Sequence, residues 1–240
     1  NVDSVIAGIK SDLDISGTQQ LLEVNRVAHN MLIGGRQTTL QQPGRPPEKV
    51  NVTLISNDSH ENSFIAANQV NFRANDNNRT IIPDITLYIN GFPIVQGELK
   101  SSGQGNRIAD AVRDLKTYEH TQAKAFRTTL FNFAGETHRY YIGGVGAPAE
   151  QYQPWSQAPP EYTTEADIEE FKQGVRATLN KNTLLNILNN YVFFEETDGI
   201  TKIVPRHMQY YAVENLRQRI QDGVEAGENT RGLIWHTQGS

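Results

Sequence analysis

The chain has 240 residues, no cysteine and a formal net charge of −5, and these properties already exclude several classes of protein. At roughly 100–200 residues per domain, the length allows one large domain, or one domain and part of another. The absence of cysteine excludes thiol catalysis, thiolate zinc sites and a disulfide scaffold. Apolar residues make up 37% of the chain without a run of about 18, so we expect no membrane span. Because no charged-then-apolar leader opens the chain, we expect a cytoplasmic protein.

The acidic net charge argues at first against a nucleic-acid partner, because phosphate-binding proteins usually carry a basic excess. The charge is unevenly distributed, however. Residues 97–141 hold 7 basic and 5 acidic side chains, whereas the segments on either side are net acidic. This small difference permits a nucleic-acid partner without predicting one.

The first third of the chain predicts a helix followed by short strands. Apolar residues recur at helical spacing over 20–33, and the glycine pair 34–35 ends the pattern. The Pro-rich stretch 41–47 predicts a loop, and the alternation over 50–55 predicts a strand. A second short extended run is expected to end near Phe72.

The most informative segment is 82–100, which predicts two strands joined in a hairpin. Asn90-Gly91 is typical of a hairpin turn because both residues tolerate positive φ. Apolar side chains alternate on each side of this turn and predict that the odd-numbered face of both strands meets the core. The even-numbered face carries Asp84, Glu98 and Lys100.

The register of this hairpin follows from parity. A strict two-residue turn would place odd-face Gly97 across from even-face Asp84, which conflicts with the apolar alternation. A three-residue loop with Gly91 in a left-handed conformation sets Asp84 directly across from Glu98, with Cβ atoms about 5 Å apart. We therefore predict the three-residue loop; a two-residue turn without a bulge would contradict the site.

The remaining chain predicts a helix, a strand pair and a mainly helical C-terminal part. A helix is expected over 107–120 because apolar residues recur there at helical spacing, and Asp114 and Tyr118 share another of its faces. The further predicted elements are strands at 130–134 and 139–142, a loop at 151–160, helices near 165–179, 183–191 and 207–221, and a strand at 232–236.

Asp84, Glu98 and Lys100 on one strand face predict a metal-dependent hydrolytic site. Two carboxylates at that distance repel, so one takes up a proton unless a cation lies between them. Mg²⁺ suits that position because it prefers oxygen ligands and keeps several waters. Lys100 beside the metal would orient or help to deprotonate an attacking water, or stabilise charge on a phosphate. The reaction indicated is hydrolysis of a phosphodiester.

Each of these residues also has a purely structural explanation when it is taken alone. A Pro-Asp pair is common, and Glu-x-Lys on a strand is usually a solvated ion pair. The agreement of parity on one hairpin, with a helix directly after it, favours catalysis.

The string P-D-I-x-L…N-G-x-P…E-L-K resembles the PD-(D/E)xK nuclease motif of type I restriction enzymes, in their HsdR subunit. The resemblance implies an α/β fold of the restriction-endonuclease type, a mixed central sheet flanked by helices. It implies that Asp84 and Glu98 bind Mg²⁺ and that Lys100 completes the site. The carbonyl of Leu99 is implied as a further ligand. The upstream stretch 62–69 is similar to the N-x-F…N-Q stretch of the family.

The helix after the hairpin departs from the family pattern at one position. Related nucleases usually carry Q-x-x-x-Y there, whereas this chain has Asp114 four residues before Tyr118. The resemblance implies a site role for Tyr118. An acid at Asp114 is either a hydrogen-bond partner of the site or simply solvated.

The C-terminal region carries a separate resemblance, to the start of the HsdR motor. Gln209 is similar to the glutamine that reads adenine in superfamily 2 helicases, and 232–240 matches the opening of a Walker A loop. The Gly-Lys-Ser/Thr that holds phosphates and Mg²⁺ does not follow. The resemblance implies a nuclease domain over 1–200 and a truncated start of a RecA-like helicase domain over 201–240. ATP is expected to bind only to the full-length protein.

These resemblances imply the N-terminal fragment of a type I restriction motor subunit, a Mg²⁺-dependent endonuclease that cleaves double-stranded DNA after ATP-driven translocation. The implied partners are the methylation (HsdM) and specificity (HsdS) subunits, and the fragment alone is expected to cleave weakly or not at all. One alternative is a nuclease-like fold that serves as a non-catalytic DNA-binding or subunit-assembly module. Another is a stand-alone RecB-like repair nuclease, which the Walker-type ending disfavours.

Two further residue types carry weaker indications. The six histidines show no H-x-H or HExxH spacing, so a zinc site is not expected. A group of basic residues suits either a DNA backbone or a solvated face. These are Arg107, Arg113, Lys116, Lys124 and Arg127.

Overall fold

The computed structural model describes residues 2–14, 20–42, 44–73, 79–101, 106–136, 138–155, 170–228 and 231–232. Its helices are α1 (Val2–Asp12), α2 (Leu21–Gly34), α3 (Arg107–Thr121), α4 (Glu170–Leu179), α5 (Lys181–Asn190) and α6 (His207–Ala226). Its strands are β1 (Arg36–Leu40), β2 (Glu48–Val52), β3 (Phe64–Asn68), β4 (Phe72–Arg73), β5 (Thr80–Ile81), β6 (Ile85–Ile89), β7 (Phe92–Leu99), β8 (Phe131–Gly135), β9 (Tyr140–Gly144), β10 (Gln153–Pro154), β11 (Phe193–Glu195) and β12 (Thr201–Ile203).

Two sequence predictions fall on residues that the structure does not describe. Most of the predicted terminal strand and the Walker A resemblance lies at 233–240, outside the described residues. The first part of the helix predicted near 165–179 also lies outside them, and the rest of it is α4. Within the described ranges, no helix has the length and apolar character needed to cross a membrane.

A six-stranded mixed sheet forms the centre of the fold, in the order β10-β9-β8-β7-β6-β3. Within this sheet only β7 and β8 run parallel to each other. The crossover that contains α3 carries the chain back to the end of the sheet where β7 began, so β8 runs in the same direction as β7. The apolar side chains of α3 pack on one face of the sheet, around Ala134 of β8. Residues of α4 and α5 belong to the main core cluster, together with Phe133 and Tyr140. The predicted mixed sheet flanked by helices is therefore confirmed.

The predicted three-residue loop of the β6–β7 hairpin is wrong, but the predicted register is present. The turn has two residues, Asn90 and Gly91, with φ of 50° and 84°, the left-handed values that a tight hairpin turn requires. Next to the turn, Tyr88 pairs with Pro93, whereas Leu87 pairs with Val95. The intervening residue, Ile94, is a β-bulge that restores the register the three-residue loop was expected to give.

Gly97 of β7 leaves the space into which the ring of Phe133 fits. The two residues are paired across the parallel strands β7 and β8, and a Cβ at Gly97 would overlap the Phe133 ring. Phe133 is 2% exposed and belongs to the main core cluster. The absence of a side chain at position 97 thus lets the two central strands pack under a full aromatic ring.

Replacing Gly97 by alanine is expected to lower the free energy of unfolding by about 1–3 kcal/mol, the usual cost of overpacking a well-filled core. Urea unfolding followed by circular dichroism measures the effect. Gly34→Ala is the matched control, since a Cβ at Gly34 meets no atom within 4 Å. Equal unfolding midpoints for both variants would contradict this account of the Gly97–Phe133 contact.

A buried lysine joins the segment after α5 to the N-terminal part of the chain. The Nζ of Lys202 in β12 donates hydrogen bonds of 2.8 Å to Asn25 Oδ1 of α2 and 2.8 Å to the carbonyl of Thr129. Lys202 is 3% exposed, and burial lowers its pKa to about 7, with the charge of Glu119 opposing the shift. The contact joins α2, the loop before β8 and the strand that leads into α6.

Candidate active site

Asp84, Glu98 and Lys100 lie together at the end of the β6–β7 hairpin that is far from the turn. Asp84 directly precedes β6, Glu98 is the penultimate residue of β7, and Lys100 follows β7. Ile85 pairs with Gly97, so the next step of the same register places Asp84 across from Glu98. Successive side chains of a strand alternate, so Glu98 and Lys100 share one face.

The carboxylate of Asp84 is oriented by the backbone of the facing strand. The main-chain N–H of Leu99 donates a hydrogen bond of 2.8 Å to Asp84 Oδ2. The main-chain carbonyl of Asp84 accepts a 3.0 Å hydrogen bond from the N–H of Gln69, next to β3. Contacts on both sides therefore hold Asp84 in place.

Glu98 is a buried carboxylate that is only half satisfied. It is 4% exposed, and its Oε1 accepts a 2.7 Å hydrogen bond from Lys100 Nζ. Its Oε2 is buried and has no hydrogen-bond partner. Burial raises the pKa of the Glu98 carboxyl; Lys100 opposes this shift, whereas the negative charges of Asp84 and Asp114 add to it. An unpartnered buried carboxylate oxygen is costly unless a cation completes its environment.

Lys100 bridges two carboxylates, and Asp114 of α3 is the second. Lys100 Nζ lies 2.6 Å from Asp114 Oδ2 and 2.7 Å from Glu98 Oε1. Burial acts to lower the pKa of Lys100, but the hydrogen bonds to Asp114 and Glu98 outweigh it and raise the pKa. Lys100 therefore keeps its proton at neutral pH in this arrangement. Asp114 is therefore not simply solvated, since it pairs with Lys100.

Tyr118 lies one turn after Asp114 on α3, and the charges of the cluster affect the pKa of its hydroxyl. Burial raises the pKa of its hydroxyl, and the charges of Glu98 and Asp114 raise it further. Its ring packs against a buried cluster that contains Ile81 and Phe126. Tyr118 is thus a neutral hydroxyl at the border of the carboxylate cluster.

The charge of this cluster matches one divalent cation. Asp84, Glu98 and Asp114 with Lys100 carry a combined formal charge of −2 when all are ionised. Burial is the main reason that the pKa of Glu98 is raised although Lys100 is its ion-pair partner, and the charges of Asp84 and Asp114 add to the shift. The carboxylates Asp114 and Glu98 raise the pKa of Lys100. No three His, Asp or Glu side chains within the described ranges converge as a ready metal cage. Two carboxylates, the Leu99 carbonyl and waters are nevertheless a donor set that fits Mg²⁺, which seldom uses an all-protein cage.

Comparison with known proteins identifies the family of the chain. The family described as type I restriction enzyme R protein N terminus matches residues 1–151, which is more than half of the chain. This chain belongs to that family.

Three curated relatives of the chain are named as endonuclease subunits of type I restriction enzymes. A Methanocaldococcus jannaschii protein, provisionally named as the MjaVIIIP endonuclease subunit, is 32% identical over 75% of this chain and 17% of its own length. The HindI endonuclease subunit of Haemophilus influenzae is 26% identical over 100% of this chain and 23% of its own length. The SauCOLORF180P endonuclease subunit of Staphylococcus aureus is 30% identical over 75% of this chain and 18% of its own length. The chain thus spans about a fifth of the length of these relatives.

A buried carboxylate that the sequence analysis missed, that of Glu119, anchors α3. Glu119 is 6% exposed and accepts hydrogen bonds of 2.7 Å from Asn132 Nδ2 and 3.2 Å from the N–H of Gly146. It lies four residues after Leu115, so it continues the apolar stripe of α3, and that spacing was the available signal. Glu119 ties α3 to β8 and so sets the position of Asp114 and Tyr118.

Gln209 lies on a different element from the carboxylate cluster, in the first turn of α6. Its Oε1 accepts a 3.1 Å hydrogen bond from the N–H of Arg206 and so caps the helix. It also lines a cavity of about 520 Å³ beside Trp155 and His207. The residues of the Walker A resemblance are outside the described part of the chain, so adenine recognition by Gln209 stays a prediction.

The basic residues considered for DNA binding separate into two groups. Arg107 and Arg113 both pair with Asp110 within α3, and Lys116 pairs with the buried Glu119. Lys124 and Arg127 lie beyond α3 and line a separate cavity.

Replacing Glu98 by glutamine is expected to raise the melting temperature at pH 8 in the presence of EDTA. The folded-state pKa of Glu98 lies above its ordinary value, so its ionisation costs stability as the pH rises through that pKa. The gain should shrink as the pH falls below about 4, where the carboxyl is protonated in both states. Thermal melts of Glu150→Gln, an exposed carboxylate, serve as control; a lower melting temperature for Glu98→Gln at pH 8 would contradict the prediction.

Proposed function

We propose that this chain holds the nuclease site of a type I restriction enzyme, of PD-(D/E)xK type, and hydrolyses phosphodiester bonds of double-stranded DNA with Mg²⁺. The observation that carries the proposal is the facing pair Asp84 and Glu98, with one buried Glu98 oxygen left without a partner beside Lys100. The names of the relatives, all endonuclease subunits, support a nuclease over a non-catalytic module.

In this proposal Asp84, Glu98 and the main-chain carbonyl of Leu99 hold the Mg²⁺. When bound, the ion supplies a Lewis acid for the phosphate and lowers the pKa of the attacking water. The chain contributes preorganisation: the Leu99 N–H orients Asp84, and burial keeps Glu98 from being satisfied by bulk water.

Lys100 acts as a proton donor and positive charge rather than as a base. Its raised pKa keeps the ammonium protonated next to Glu98. A fixed ammonium in a partly buried site stabilises negative charge that develops on a phosphate oxygen, without reorganisation at the moment of reaction. Of the roles considered for Lys100, deprotonation of the water is therefore the least favoured.

Asp114 positions Lys100, and Tyr118 lies near both on the helix side of the site. Asp114 holds the ammonium from α3 while Glu98 holds it from β7. The Tyr118 hydroxyl, kept neutral, lies beside these charges and is available to a phosphate or a water. The substitution of glutamine by an acid is thus compatible with a catalytic site.

The properties of the whole subunit belong to the same proposal. ATP bound by the full-length protein, with Gln209 at the adenine, would drive translocation along DNA before cleavage. Methylation and specificity subunits would complete the complex. Residues 1–200 would form the nuclease domain, and 201–240 the start of the helicase domain.

Titration of the 240-residue chain with Mn²⁺, followed by isothermal calorimetry, tests the metal site. We expect one ion per chain, and we expect Asp84→Ala and Glu98→Ala each to weaken binding about a hundredfold or more, because each removes a direct ligand. Glu150→Ala, an exposed carboxylate outside the cluster, is the matched control and should bind as the unmodified chain does. Binding that survives both Asp84→Ala and Glu98→Ala would refute the proposed metal site.

A further inference from the structure

A second cavity, of about 630 Å³, lies at the turn end of the β6–β7 hairpin. Its walls come from α1, from β4, from the hairpin turn and from the segment that follows α3. Its volume is within the range of about 300–1,000 Å³ that small-ligand sites occupy.

The cavity is separate from the carboxylate cluster. Tyr88, which lines it, is four residues along β6 from Asp84, a distance of about 13 Å on the same strand face. Between them, Thr86 is fully buried and bonds to Gln96, and Gln96 Nε2 reaches the carbonyl of Ala125 at 3.4 Å. The buried, hydrogen-bonded pair Thr86 and Gln96 therefore separates the cavity from the carboxylate cluster.

The charge of the cavity is opposite to that of the chain. Among the described residues that line it, four are basic and none is acidic, in a chain with 22 basic and 27 acidic residues. The basic lining residues are Lys10, Arg73, Lys124 and Arg127.

Two of these cations have weak or incomplete compensation. Lys124 pairs with Asp14 at 3.3 Å, but both side chains are about half exposed, so the pair is worth little. Arg127 is partly buried, and its Nη1 donates a 3.1 Å hydrogen bond to the carbonyl of Leu13. Burial lowers the pKa of Arg127 and the charge of Asp14 opposes this, so an added anion would stabilise the guanidinium.

The inner wall of the cavity is aromatic and aliphatic. Phe72, Tyr88 and Phe92 are all half-buried and line it from β4 and both strands of the hairpin. An anion-binding rim over aromatic rings is the combination that holds a base and its phosphate, because rings stack on bases and cations neutralise phosphates.

We propose that this cavity binds a nucleoside phosphate, with the base against Phe72, Tyr88 and Phe92 and the phosphate at Lys10, Lys124 and Arg127. The same chemistry is offered by a free nucleotide and by one nucleotide of a single DNA strand. The cavity size and the cluster of rings favour this ligand over an acidic peptide, which needs no aromatic wall.

Fluorescence anisotropy of a fluorescein-labelled twelve-nucleotide oligothymidylate tests the proposal. The measurement uses the 240-residue chain with Glu98→Gln in EDTA, so neither metal binding nor cleavage at the carboxylate cluster affects it. The test variant is Lys10→Gln with Lys124→Gln, two exposed cations of the cavity. The control, Lys49→Gln with Arg219→Gln, removes the same charge from exposed positions that do not line the cavity.

We expect the cavity variant to weaken probe binding about tenfold or more at low salt, and the control less than about twofold. The slope of log affinity against log salt should become shallower by about 1.4 in the cavity variant, as two phosphate contacts on a single strand predict. Thymidine 5′-monophosphate distinguishes the sources: displacement of the probe by it indicates a free nucleotide, and displacement only by unlabelled oligothymidylate indicates a strand. Equal weakening by the two double variants, or no binding of either ligand, would overturn the proposal.

Discussion

Glu98→Gln and Asp84→Asn are each expected to reduce the Mg²⁺-dependent plasmid cleavage proposed for the full-length subunit, assembled with its proposed partner subunits, on the order of a thousandfold. Each change keeps the shape of the side chain and removes one negative charge from a cluster whose formal charge is −2. The neutral amide is a poorer ligand for a hard cation than a carboxylate. The measurement is the rate of supercoiled plasmid linearisation.

The same assay on Glu150→Gln and Asp198→Asn provides the controls, since both carboxylates are exposed and lie outside the cluster. The ATP hydrolysis proposed for the full-length subunit should be retained in each variant, which separates loss of the proposed nuclease site from loss of the proposed motor. Removal of a catalytic group typically lowers the rate about 10²–10³-fold. If both site variants cleave the plasmid at a rate within about threefold of that of the unmodified subunit, the hairpin carboxylates are structural.

Lys100→Met is expected to lower cleavage about a hundredfold or more while it strengthens divalent-metal binding. The ammonium that would stabilise charge on the phosphate is lost, which explains the slower cleavage. Metal binding gains because Lys100 no longer competes for Glu98 Oε1, and because the cluster becomes more negative without it. Calorimetric Mn²⁺ titration of the 240-residue chain and plasmid cleavage by the full complex measure the two effects.

The opposite signs of these effects make Lys100→Met distinct from a general loss of structure. A misfolded variant would lose both cleavage and metal binding, whereas a solvated lysine would change neither. Lys49→Met, a matched change at an exposed position of β2, should leave both quantities unaltered. Weaker metal binding in Lys100→Met would contradict the role assigned to the lysine.

The order and spacing of the residues in the hairpin were sufficient to predict which side chains share a face of the strands. Period-two alternation of apolar side chains depends only on strand geometry, so Asp84, Glu98 and Lys100 are placed together from their spacing. The turn was harder, because a two-residue turn with a bulge and a three-residue loop produce the same register beyond Leu87. Asn90-Gly91 itself favours the two-residue turn, because both of its residues tolerate positive φ. What the sequence does not reveal is the bulge at Ile94, which restores the register.

The roles of Asp114 and Glu119 were open in the sequence for a different reason. Helical spacing places Asp114 on the face of Tyr118, but whether an acid there is solvated depends on the strand against which the helix packs. The 2.6 Å contact with Lys100 exists because α3 crosses from β7 to β8 directly over the end of the hairpin. Glu119 lies on the buried stripe, and its partners Asn132, Gly146 and Lys116 explain how a carboxylate is tolerated there.

The sequence by itself determined which groups are available for chemistry: no thiols, and two carboxylates and a lysine on one hairpin, with a helix after it. These follow from residue type and from the periods of strands and helices, which are local properties. The tertiary structure alone decided that Glu98 is buried with one oxygen unsatisfied and that Lys100 is shared with Asp114. It also decided that Lys202 is inserted between α2 and the loop before β8. Burial and charge pairing depend on residues that are far apart in the sequence and meet only in the folded chain, so a local sequence pattern does not predict them.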